Sequence, residues 1–133
     1  MEIVTEIIAL ERAALDRLGR GDPQGCLETY VDDVTYFDPV APTRVDGLDA
    51  MKAWYAPIAG KVKIARYDMI GARVQRYGEI AVLSYQLINY GDSDIVLNRW
   101  NTTAVYRQTD AGWKIAHSHF SYTQPELKQP VLE

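Results

Sequence analysis

The sequence predicts an α+β domain in which N-terminal helices pack on the concave face of a curved antiparallel sheet. Three observations carry this. Up to Gly60, apolar residues recur mainly at helical spacing. Beyond Gly60 the chain reads as strands rich in Ile, Val, Tyr and Thr. Gly78-Glu79, Gly91-Asp92 and Asp110-Ala111-Gly112 punctuate those strands where hairpin turns are needed, and strands joined by turns this short run antiparallel.

Each element follows in order. Ile3, Ile7, Ile8, Leu10, Ala14, Leu15 and Leu18 mark helix one, with Glu and Arg on its other face and Gly19 and Gly21 ending it. Asp22-Pro23 reads as a cap followed by Pro at the first helical position, opening helix two, which is expected to reach about Tyr30. Val34 to Phe37 is a short β-rich run stopped by Asp38-Pro39, and Val40 to Asp46 reads as a loop. Met51, Trp54, Tyr55 and Ile58 give helix three, from about Leu48 to Ala59. Strands are expected over Lys63–Arg76, Ile80–Tyr90, Ile95–Thr109 and Trp113–Tyr122. A chain of 133 residues fits one domain, placed at residues 1–123, with residues 124–133, which contain two prolines, as a loose tail.

Composition excludes several functions. The net charge of −4 and the absence of a basic run argue against a nucleic-acid partner. No apolar run is long enough to span a bilayer, and the acidic, periodic N-terminus is unlike a signal peptide, so a cytoplasmic protein without membrane contact is expected. The single Cys26 excludes an internal disulfide and a cysteine-based metal cluster, and reads as a small buried hydrophobe. No cofactor motif is present, and none is expected.

Strand alternation puts Trp113, Ile115, His117 and His119 on one face of the last strand and Lys114, Ala116, Ser118 and Phe120 on the other. Imidazoles two apart on a strand stand side by side, about 7 Å between Cα atoms, and either could transfer protons near neutral pH. A hydrogen-bonded packing histidine at a pocket floor is the plain alternative, and no metal site is expected from H-x-H alone. Asp38, near Tyr36, Phe37 and Trp54, is either a base or the cap of the turn that Pro39 begins. Trp54 and Tyr55 of helix three, with Trp100, line an aromatic pocket or pack the core. The facing of the Ile95–Thr109 strand depends on its turn. Pairing of Gln108 with Trp113 points Trp100, Thr102, Ala104 and Tyr106 inward, and a bulge sends Arg99, Asn101 and Thr103 inward instead.

Two stretches carry a family resemblance: LGRGDPQGCLETYVDDVTYFDPV with VDGLDAMKAWY (Leu18 to Tyr55), and RQTDAGWKIAHSHFS (Arg107 to Ser121). The first resembles the ketosteroid isomerases, through Gly21-Asp22, Asp32-Asp33, Asp38-Pro39, Gly47 and Tyr55. The second, W-x-x-x-H-x-H-x-S, is similar to the SnoaL-like families and the association domain of calcium/calmodulin-dependent kinase. All belong to the nuclear transport factor 2-like superfamily, whose cone-shaped fold hosts enzymes, binding proteins and assembly domains. The resemblance implies that His117, His119 and Trp113, with Leu83, Tyr85 and Leu87 of the middle strand, face the pocket. It also implies that Asp38, of the Asp-Pro motif, is a proton-abstracting base; His117 or His119 would then serve as acid or orienting group, and Tyr36, Trp54, Tyr55 and Trp100 are expected to line the pocket. The isomerases' oxyanion donors fall at Ala14 and at or near Ala104, which donate nothing, so steroid isomerisation is not expected. Two functions stay open: a pocket for a small carbonyl or hydroxyl compound, with or without proton-transfer, cyclisation or hydration chemistry, and a non-catalytic ligand-binding or assembly domain. A homodimer through the convex face is expected, from the small or apolar outward set Lys114, Ala116, Ser118, Phe120, Val82, Ser84, Gln86 and Ile88.

Overall fold

The computed structural model describes residues 2–123; the expected tail at 124–133 lies outside them. Helix α1 (Ile3–Gly19) buries the stripe Ile7, Glu11 and Ala14, and ends where Gly21, at φ 84°, turns the chain back. A Cβ at Gly21 would stand 3.0 Å from the Gly60 Cα, so both the dihedral and the close approach require glycine. Helix α2 (Gln24–Leu27) is a single turn, and the Gln24 N–H donates to Asp22 Oδ1 at 3.1 Å. It ends three residues before the expected Tyr30, because Tyr30 and Val31 already belong to strand β1 (Tyr30–Phe37).

The expected loop before helix three contains a short strand, β2 (Val45–Asp46), paired with Thr35 and Tyr36. Helix α3 (Leu48–Tyr55) follows and tightens into a 3₁₀ turn (Ala56–Ile58) at Pro57. Strands β3 (Arg66–Tyr77), β4 (Ile80–Tyr90), β5 (Val96–Thr109) and β6 (Gly112–Tyr122) form the antiparallel meander. The sheet order is β2-β1-β6-β5-β4-β3, with β1 and β6 parallel. The last strand thus lies between the first and the penultimate one, at the centre of the sheet.

Ile7, Val34, Met51 and Leu83 are fully buried between helices and sheet. Each such side chain contributes about 1.5–3 kcal/mol against exposure. Gln108 pairs with Trp113, so Trp100, Thr102, Ala104 and Tyr106 face the helices, the first of the two open alternatives. Two pairs further along, the ladder breaks: Tyr106 pairs with Ile115 and Val105 with His117, leaving Ala116 as an extra residue in β6. The facing of everything beyond Ala116 is thereby reversed.

Candidate functional site

A cavity of about 490 Å3 lies between α1, α3 and the concave side of the sheet. Its wall is mostly apolar, with Leu15, Leu18, Ile58, Val62, Leu87 and Ile115 contributing. Aromatic rings from four elements frame it. Tyr36 stands 6.4 Å from Tyr55 and 6.1 Å from Phe120, Phe120 lies edge-on to Trp100, and Trp54 closes the α3 side. Among the described residues two carboxyl groups reach the wall, Asp38 and Glu11, and no Lys, Arg or His does so.

Asp38 follows the last residue of β1 and is half-buried. Its Oδ1 accepts the Val40 and Ala41 N–H groups at 2.8 and 2.7 Å, capping the turn that Pro39 begins. Its Oδ2 accepts the Tyr36 hydroxyl at 2.7 Å. Burial and the adjacent Asp38 charge raise Tyr36 far above an ordinary phenol, so it stays a donor.

Glu11 occupies the inner end and is 4 % exposed. The hydroxyls of Tyr85 (β4) and Tyr106 (β5) each donate to one of its oxygens at 2.5 Å. Burial raises its pKa above that of an ordinary carboxyl, against the lowering effect of the two hydrogen bonds. Sequence reasoning assigned the Glu residues of α1 to the solvent face. The available signal was spacing: Glu11 lies four residues after Ile7 and three before Ala14, on the apolar stripe.

The two histidines do not share this cavity. The Ala116 bulge turns Ser118 and Phe120 inward, where Ser118 is buried and Phe120 lines the wall, and sends His117 and His119 to the convex face. There His117 Nδ1 bonds the Thr35 hydroxyl at 2.7 Å, and the exposed Phe37 ring lies 5.8 Å from His117 and 5.0 Å from His119. Burial, then the neighbouring His119, holds His117 below its usual pKa. The expected juxtaposition of Asp38 with a histidine acid is therefore corrected, and Ser118 and Phe120 leave the expected outward set.

Of the other expected pocket residues, Tyr36, Trp54, Tyr55, Leu87 and Trp100 line the cavity together with Asp38. Leu83, Tyr85 and Trp113 face the same side but are buried in the core beyond it; Arg76 lies over the Trp113 ring. Ala14 lines the wall and Ala104 is wholly buried, so neither places a donor there. Cys26 is buried beside the cavity, its thiol pushed up to about 12 chiefly by burial. Among the described residues no group of three or more His, Cys, Asp or Glu side chains could hold a metal ion. No helix among them is long and apolar enough to cross a membrane.

Residues 7–125 match the SnoaL-like domain. A candidate ketosteroid isomerase from Parabacteroides distasonis ATCC 8503 is 37 % identical, with a TM-score of 0.81 over 93 % of this chain and 90 % of its own. An NTF2-like protein of unknown function from Pseudomonas putida KT2440 superposes with a TM-score of 0.79 at 19 % identity, over 97 % of this chain and 90 % of its own. The CaMKII hub of S. rosetta does so with a TM-score of 0.74 at 20 % identity, over 92 % and 98 %. Comparison with curated proteins finds no match. The last two likenesses concern the fold alone.

Proposed function

The chain belongs to the SnoaL-like domain family, of the nuclear transport factor 2-like superfamily, and we propose that it is a small-molecule-binding domain. The observation that carries this is the cavity itself: about 490 Å3, walled by aliphatic and aromatic side chains, with polar groups at only a few points. Its occupant is a small, mostly apolar molecule whose polar group meets one of the two carboxyls.

Binding is favoured over enolisation by the state of the polar groups. Asp38 already accepts three hydrogen bonds, so both of its oxygens are engaged in holding the turn and the Tyr36 hydroxyl. The hydroxyl hydrogens of Tyr36, Tyr85 and Tyr106 are all directed at carboxyl oxygens, so none of them is free for a developing oxyanion. Proton transfer on a carbonyl or hydroxyl compound, with Asp38 as base, is the catalytic form of the same reading.

A thermal-shift screen of small metabolites and drug-like fragments tests the proposal. A ligand at a hundred times its Kd stabilises by about 2.7 kcal/mol. The shift should vanish in Leu87→Trp, which fills the cavity from β4. Hits that shift the variant as much as the parent would place binding elsewhere and reject the reading.

Self-association through the convex face is proposed alongside. Ser84, Thr103, His119 and Phe37 form a row across β4, β5, β6 and β1 that holds no carboxylate, lysine or arginine. Beside it the Gln86 amide donates to Asn101 and the Asn101 amide to the Ser121 hydroxyl across the strands. A two-fold contact here would bury about 1,500 Å2 in total. Light scattering at micromolar concentration should report roughly twice the 15.0 kDa chain mass, and Thr103→Arg should halve it. A monomeric parent protein would refute this.

A further inference from the structure

We infer that the molecule taken by this cavity is a small lipophilic amine, its ammonium held against the Glu11 carboxylate and its apolar body among the aromatic rings. The inference rests on the cavity being the binding site, as proposed above.

Three features select this class. Among the described residues the wall carries two carboxyls and no basic side chain, so an anionic head group would find no cation to pair with. Glu11 is wholly buried, yet the groups that hold it are neutral hydroxyls, and none of the ion pairs among the described residues includes it. A buried carboxylate without a cation is an unfavourable state, and a ligand ammonium supplies what the fold does not. Around the rest of the cavity, Tyr36, Trp54, Tyr55 and Trp100 supply the apolar ring area that a lipophilic body needs.

The charge accounting is simple. In the empty cavity burial favours the protonated Glu11 carboxyl. The groups facing it, Cys26 of α2, Tyr30 of β1, Tyr85 of β4 and Tyr106 of β5, are all raised by burial and stay neutral near pH 7. An ammonium that enters pairs with the carboxylate, and the Glu11 proton leaves to solvent. No covalent bond is made or broken.

Isothermal titration at pH 7 with 4-phenylbutylamine, 4-phenylbutanol and 4-phenylbutyrate tests this, since the three share a body and differ in the head group. The amine should bind at least about tenfold more tightly than the alcohol, a difference of about 1.4 kcal/mol, and the carboxylate more weakly than either. In Glu11→Gln the amine's advantage should shrink to about threefold or less. Repeating the parent titration in buffers of different ionisation enthalpy should reveal proton release with the amine and none with the alcohol, a readout that does not depend on the variant folding. Alcohol or carboxylate binding as tight as the amine overturns the inference and leaves the pocket reading standing. So does an amine preference that survives in Glu11→Gln. If none of the three binds, the inference falls. If the thermal-shift screen is also blank, the pocket reading falls with it.

Discussion

Replacing Glu11 with Leu is expected to lower the unfolding free energy by roughly 2–6 kcal/mol, as read from urea denaturation. The substitution removes the acceptor of two buried hydroxyls, Tyr85 and Tyr106, and each buried donor left unpaired costs about 1–3 kcal/mol. Glu11→Gln keeps one acceptor oxygen but turns the other position into an amide donor, so one of the two hydroxyls must give up its present bond and the loss should be about half that of the Leu variant, roughly 1–3 kcal/mol. The two proteins should also differ in pH dependence. A carboxyl whose folded pKa is raised makes its full contribution below the unfolded value, about 4.3, and loses it as pH rises through the folded value. The parent should therefore lose stability relative to Glu11→Gln as pH climbs from about 4 toward neutrality. Equal slopes in parent and Gln variant, or a neutral Leu variant, would show that this carboxyl is not held as described.

The sequence made the meander legible because turn chemistry and β-branched runs are local signals, and the strand ends moved by only a few residues. Helical periodicity was equally local for α1 and α3. The cavity wall was legible where a residue type announces a surface, as with Trp54, Tyr55 and Trp100, or where alternation is unbroken, as with Leu87 on β4. Two kinds of information were not local. Glu11 is a charged residue on an apolar stripe, and only its partners Tyr85 and Tyr106, 74 and 95 positions away, explain why it is tolerated there. The Ala116 bulge has no glycine or proline to mark it; it is set by how β6 fits between β1 and β5. With side chains alternating every two residues, that one extra residue was enough to move both histidines out of the site.

The same bulge decides which deletions β6 tolerates. Ile115 faces the helices and His117 the convex side, with Ala116 as the unpaired residue between them. Removing Ala116 makes Ile115 and His117 neighbours, and the strand then alternates without a break while both halves keep their present faces. Such a variant should stay folded and keep its cavity wall. Deleting Ser118 should do the opposite. If the bulge is kept, His119 takes the inward place of Ser118 and Phe120 turns to the convex side. If the bulge is absorbed, Phe120 keeps its place, and His117 turns inward and loses its bond to the Thr35 hydroxyl. Either outcome puts an imidazole into a mostly apolar wall, and the first also removes Phe120 from the cavity. We expect guanidinium denaturation to report a loss of at least about 2 kcal/mol for the Ser118 deletion, and clearly less for the Ala116 deletion. A Ser118 deletion as stable as the parent, or an Ala116 deletion that is the more damaging of the two, would mean that the bulge does not set the facing of the site.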